Sequence, residues 1–273
     1  MKESLESLLQ SACLLEARAP KLGNVHPDAS FDDLHFEDFV RSAEIVAPIL
    51  AHSCVGVGPT ILAAIEATQT ELGKNTNLGI VLLLAPLAAA RLRKPLQNEI
   101  ASVLDGCSEI DSALVFEAIR LANAGGMGKV EEEDIWDVPK MNLREVMRLA
   151  EERDLIAQQY STDFAFVLSD GVELYKSELQ RNSTPESAIV GLQLQVMSQF
   201  PDSLIARKCG AEVAAESAKR AAAVLKLHWP SSAALAEAER FDQWLRADGN
   251  RRNPGTTADI ICAILFAYLR DHQ

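Results

Sequence analysis

Four polar segments interrupt an otherwise apolar, helix-patterned chain, and each carries residue types suited to phosphate or metal chemistry. The first reads Glu16-Ala-Arg-Ala-Pro20-Lys21-Leu-Gly23-Asn24-Val25-His26 and is followed by Asp32, Asp33 and His35. A lysine in a Pro/Gly turn can meet a phosphate as a point charge. Neighbouring carboxylates can hold Mg²⁺ through oxygen ligands. A helix–helix turn with solvated charges would have much the same composition. The second segment, Gly73-Lys74-Asn75-Thr76-Asn77-Leu78-Gly79, leads into the most apolar stretch of the chain. Free N–H groups at a helix start, two glycines and two side-chain amides make an anion cradle. The lysine and Ser/Thr are misplaced for a Walker loop, and an ordinary N-cap would use the same residues.

The third segment, Asp202-Ser-Leu-Ile-Ala-Arg207-Lys208-Cys-Gly210, sets a carboxylate and an arginine about one and a half helical turns apart. A structural ion pair is the plainer reading. The fourth, Asn253-Pro-Gly255-Thr256-Thr257-Ala-Asp259, opens a helix with small residues and leaves Asp259 about one turn inside an apolar run of Ile260, Ile261, Ala263 and Ile264. A carboxylate buried there is costly unless it is paired or binds a metal. Asp259 is the least ordinary residue in the chain.

The elements that position these segments read as helices throughout. Leu5, Leu8, Leu9, Ala12 and Leu15 trace one helical face that stops before Pro20, and Phe36 to Ala47 trace another. Gly58-Pro59 opens a third helix. A helix from about Asn77 to Arg93, apolar all round and bent at Pro86, belongs at the centre. Further helices are expected near 109–124 and 143–168, from Thr184-Pro185 to Gln199, and over 211–225, 232–246 and 255–269. No run of alternating strand residues is present. The expectation is an all-α fold in one multi-helix domain spanning 1–273, with Gly125–Asp137 as a polar loop.

Composition narrows the function classes. Of 273 residues, 39 are acidic and 26 basic, for a formal charge of −13, which argues against a general nucleic-acid or anionic-membrane binder. A small polyphosphate ligand remains compatible with a few local cations. Five widely spaced cysteines without a CxxC pair read as reduced thiols of a cytoplasmic protein. The longest apolar stretch, 78–90, is interrupted by Pro86 and falls short of the roughly 20 residues that span a bilayer. The histidines show no metal-ligand spacing, and Gly125-Gly126-Met-Gly128 has no preceding strand to make it a dinucleotide loop.

In this order, the four segments resemble the triphosphoribosyl-dephospho-CoA synthase family over nearly the whole chain. The resemblance rests on Glu16…Pro20-Lys21-x-Gly23-x-Val25, on Asp33-x-x-Phe36-x-x-Phe39-x-x-Ser42 and on Gly73-x-Asn75-Thr76-x-x-Gly79. It continues through Asp202-Ser-Leu-Ile-Ala-Arg207-x-x-Gly210 and Pro254-Gly255-Thr-Thr-Ala258-Asp259. Two stretches, Glu117 to Gly128 and Arg153 to Tyr160, are similar to a branch of the family outside the citrate and malonate decarboxylase systems. The resemblance implies an all-α, Mg²⁺-dependent transferase. Its substrates would be ATP and 3′-dephospho-CoA or a related hydroxyl acceptor, and adenine would be released.

By the same analogy Lys21, Gly23, Asn75, Thr76, Asn77, Gly79, Arg207, Gly255 and Thr256 would hold substrate and phosphates. Asp33, Asp202 and Asp259 would share metal coordination and acceptor activation. The chain departs from the family at Leu22, where proline is usual, at Phe31, where histidine is usual, and at Asn77-Leu78, where the pattern has His-Lys. Fewer cations point to a weaker grip on dephospho-CoA or to a different acceptor. A helical N-glycosyl hydrolase and a non-catalytic nucleotide-binding scaffold are the alternatives.

Overall fold

The structure, a computed structural model, describes residues 3–52, 55–123 and 140–272. Fourteen α-helices run through these residues in the order α1 (Leu5–Arg18), α2 (Phe36–Ala51), α3 (Val57–Leu72), α4 (Leu78–Ala89), α5 (Leu96–Asp105), α6 (Glu109–Asn123) and α7 (Leu143–Arg148). They continue as α8 (Leu155–Ser161), α9 (Val172–Arg181), α10 (Pro185–Gln199), α11 (Ser203–Cys209), α12 (Ala211–Lys226), α13 (Ser232–Arg246) and α14 (Gly255–Asp271). Among the described residues there is no strand, only an isolated bridge between His26 and Ala29. The fold is all-α.

Helices α4 and α14 form the centre. Ten of the twelve residues of α4 are buried, as its all-round apolar sequence requires. Helix α14 buries Thr256, Thr257 and the run Ile260–Ala267. Helix α10 is buried on two faces. Ile189, Leu192 and Val196 join the main core around α4 and α14, whereas Val190, Leu194 and Met197 join a second core with Leu22, Ile205, Phe241 and Leu245. The first polar segment therefore lies where these two cores meet.

Caps explain most boundaries. Ser4, Asn142, Thr184 and Ser231 each accept a backbone N–H of the helix they open. The helix expected over 143–168 is instead α7, a turn and α8. Asp154 caps a new helix there, and Asp163 and Phe164 adopt φ of 54° and 56°, which no α-helix accepts. A π-helical turn at Val167–Gly171 then brings Gly171 against Ile264 of α14. The central apolar helix ends at Ala89 rather than Arg93. The loop expected over Gly125–Asp137 lies outside the described residues.

Candidate functional site

The start of α14 is the hub on which the polar segments meet. Asn24 Nδ2 donates to Asn253 Oδ1 at 2.6 Å, and Arg246 Nη2 donates to the Asn24 carbonyl at 2.5 Å. Gly23 has φ of +71°, and a Cβ there would lie 2.8 Å from Leu245 and 3.0 Å from Pro254. Only glycine satisfies both the backbone and the space. Its N–H donates to Asp242 Oδ1 at 2.7 Å. Leu22 exchanges two bonds of 2.8 Å with the Gln193 amide, donating its N–H and accepting at its carbonyl. A proline at 22 has no N–H to give, so this departure from the family pattern is matched by Gln193 on α10.

Asp202 ties α11 to α14. Its Oδ1 accepts the N–H groups of Leu204 and Ile205 at 2.9 and 3.0 Å, and its Oδ2 accepts the Thr257 N–H and hydroxyl at 2.7 and 2.8 Å. Those four bonds use the acceptor capacity of a carboxylate. Burial pushes the pKa of Asp202 up, with the bonds from Ile205, Thr257 and Leu204 opposing it. Gly255 allows the close approach, since a Cβ there would meet Leu204 Cδ2 at 2.6 Å. Thr256, beside it, is buried.

One turn further on, Asp259 lies against Gly79. A Cβ on Gly79 would fall 2.0 Å from Asp259 Oδ2 and 2.8 Å from Ile156 Cδ1, so the second and fourth segments touch through a residue that must lack a side chain. Asp259 retains some accessible surface but has no hydrogen bond or ion pair among the described residues. Burial, then the charges of Glu16, Asp202 and Asp154, hold its carboxyl well above the ordinary carboxylate range, with Arg207 a partial offset. The grouping is thus Asp259 with Glu16, Asp202 and Asp154 around it and Arg207 at its edge.

Asp154 is a site neighbour that the sequence did not single out. It caps α8 through Oδ1, which accepts the N–H groups of Ile156 and Ala157 at 2.8 and 3.2 Å. Its signal was an Asp opening an Leu-Ile-Ala helix, which is indistinguishable from an ordinary N-cap.

Several expected roles change. Lys21 was expected to meet a phosphate, yet it is 1% exposed and its Nζ sits 2.8 Å from Glu16 Oε1 while also donating to the Glu16 carbonyl. It neutralises Glu16 beneath Asp259. Thr76 and Asn77 face inward as well. Asn77 Nδ2 donates to Ser42 Oγ at 2.7 Å and Thr68 Oγ1 at 3.1 Å, so the residue replacing the usual histidine is held in the interior. Asn75 Oδ1 accepts the Leu78 N–H at 3.2 Å. The lysine of this segment, Lys74, pairs with Asp38 at 2.7 Å. Burial would raise the Asp38 pKa, but the bonds from Lys74 and the His35 N–H hold it below its usual value.

Asp33 stands apart, on an exposed loop where Asn250 Nδ2 approaches its two oxygens at 3.3 and 3.4 Å. Lys208 feels its charge, and neither Lys208 nor Arg207 is ion-paired among the described residues. Burial and the Arg207 charge depress the Lys208 pKa, against the pull of Asp33. Phe31 lies 5.5 Å below the Arg246 guanidinium, a cation–π contact in place of the usual histidine. Of the three aspartates expected to share a metal, Asp202 lies near Asp259, and Asp33 does not join them. Asp202 is saturated, Asp33 is on the rim, and among the described residues no three Asp, Glu, His or Cys side chains are placed to hold a metal ion. What remains is one free carboxylate in an acidic setting.

The family model for ATP:dephospho-CoA triphosphoribosyl transferase (CitG) matches residues 2–273. This chain belongs to that family. It is accordingly a transferase of the triphosphoribosyl-dephospho-CoA synthase kind, with ATP and dephospho-CoA as the family's substrates. A crystal structure titled as a proposed triphosphoribosyl-dephospho-CoA synthase from Archaeoglobus fulgidus is similar, at 25% identity and a TM-score of 0.66. The match covers 85% of this chain and 99% of that one. None of the curated proteins matches. Among the described residues no helix of this transferase is long and apolar enough to cross a membrane.

Proposed function

We propose that this chain moves the triphosphoribosyl group of ATP to a hydroxyl of 3′-dephospho-CoA or a related acceptor, with release of adenine, and that Asp259 is the group that takes the acceptor proton. The carrying observation is the packing of Asp259 on Gly79, which puts a carboxylate without protein partners at the start of α4. With the Leu78 N–H taken by Asn75, the Gly79 and Ile80 N–H groups of that first turn have no intrahelical partner and suit a phosphate. Arg207, exposed and near enough for its charge to act on Asp259, supplies the cation. Gly255 and Asp202 position Asp259 by locking α11 onto α14, and Gly23 holds the first loop onto the same helix. Lys21 cancels the Glu16 charge. Mg²⁺ arriving with the triphosphate would neutralise phosphate charge, which leaves Asp259 to act as the base.

Breaking the ribose–adenine bond builds positive charge at the anomeric carbon, which the carboxylates of Asp154 and Asp259 favour. A base of raised pKa is closer to neutrality and better matched to removing a hydroxyl proton. The test is adenine release from Mg²⁺–ATP with and without dephospho-CoA, with the product identified by mass spectrometry. Acceptor-dependent release supports the transferase reading. Acceptor-independent release gives an N-glycosyl hydrolase, and absence of release with every hydroxyl acceptor tried, at demonstrated ATP binding, gives a binding protein. Preference for another acceptor over dephospho-CoA would agree with the substitutions at Phe31, Asn77 and Leu78.

A further inference from the structure

Between α1, α2 and the start of α4 lies a crevice walled by Phe39, Ala43, Val46 and Ile80, with Glu16, Ser42, Thr76 and Asn77 as its polar lining. Two of these polar groups are unsatisfied. Thr76 Oγ1 and Asn77 Oδ1 are buried and find no hydrogen-bond partner among the described residues. Thr76 is 8% exposed and Asn77 5%. Reversing the Asn77 amide moves the shortfall rather than curing it, because Thr68 Oγ1 already donates to the Ala64 carbonyl and Nδ2 would then face the crevice. A buried hydroxyl or carbonyl left without a partner is destabilising. Native interiors rarely keep two side by side.

The space that the centre of a water-sized sphere can occupy there is about 10 Å³. That is room for about one water-sized sphere. It is near the lower bound of about 10–15 Å³ for a single water, which also needs two to four polar partners. Thr76 Oγ1 offers a donor or acceptor, Asn77 Oδ1 an acceptor, and Glu16 and Ser42 line the same space. We propose that Thr76 and Asn77 hold one ordered water against Glu16, and that this water fixes the first turn of α4 at the site. The assignment does not depend on the transferase reading. It turns Thr76 and Asn77 from phosphate ligands into inward anchors.

The test combines a crystal structure of the full chain, at a resolution that shows waters, with melting of Thr76→Val and Thr76→Ser. The expected density peak lies about 2.7–3.2 Å from both Thr76 Oγ1 and Asn77 Oδ1. Thr76→Val keeps the shape and removes the hydroxyl. If a water is bonded there, the melting temperature falls by roughly 2–4 °C, and Thr76→Ser stays near wild type with the peak retained. If the crevice is dry, a methyl replaces an unpartnered hydroxyl and the melting temperature rises, which overturns the proposal. Two further results overturn it: a featureless crevice in the wild-type density, and an anomalous peak there after a rubidium soak, which would identify a monovalent cation instead. Should Thr76→Val not fold, the wild-type density and Thr76→Ser decide alone.

Discussion

Gly79→Ala tests the central contact of the site. A Cβ at 79 would lie 2.0 Å from Asp259 Oδ2 and 2.4 Å from its Cγ. Ordinary carbon–oxygen contact is more than an ångström longer, so either the Asp259 side chain swings out or α4 shifts away from α14. Alanine brings a helix-propensity gain of up to about 1 kcal/mol. Overpacking of this kind costs about 1–3 kcal/mol. The net is a loss of up to about 2 kcal/mol, a fall in melting temperature of up to about 8 °C at 2–4 °C per kcal/mol. Turnover should suffer far more, because a displacement of about 1 Å in a reacting group costs on the order of 10²-fold. The assay is adenine release from Mg²⁺–ATP with acceptor, beside a thermal melt. The variant should be folded, slightly less stable and at least about a hundredfold slower. A variant with wild-type turnover would show that Asp259 need not stay packed on α4, and the site as drawn would be refuted.

Asp259→Asn should fold and abolish turnover, with a loss of roughly 10²–10⁴-fold if the carboxylate is the base. Because the folded-state pKa of Asp259 is raised, its contribution to stability is present below the ordinary carboxylate pKa and is lost as pH rises through the raised value. Asp259→Asn should therefore be at least as stable as wild type near neutral pH and should flatten that loss, checked by denaturant melts across pH. Lys21→Met leaves Glu16 buried without its partner and should cost about 3–5 kcal/mol, with Glu16→Gln restoring much of it, measured in the two singles and the double. Leu22→Pro, which restores the usual family residue, removes the N–H that Gln193 Oε1 accepts, and should cost about 1–3 kcal/mol in a urea melt. EDTA should abolish ATP turnover and Mg²⁺ restore it.

The sequence alone settled what depends on local spacing. Apolar periodicity and caps located most helices, and α10 and α13 ran between the residues their Thr184-Pro185 and Ser231 starts imply. It also marked Asp259 as anomalous, because a carboxylate one turn inside an apolar helix is legible without coordinates. The order of four polar segments carried the family resemblance. What it could not decide was which way each polar side chain faces. Lys21 and Arg207 are both cations in polar segments, yet one is sealed against Glu16 and the other stands exposed. Asp202 and Asp154 are both N-caps, but both oxygens of Asp202 are bonded by backbone and Thr257, whereas the accepted cap bonds of Asp154 fall on one oxygen. The breaks at Asp163 and Phe164 arise from tertiary demands that no propensity encodes. Gly79 is the sharpest case. In sequence it is a glycine in a helix start, and only the arrival of α14, 180 residues later in the chain, makes its missing side chain the space that Asp259 fills.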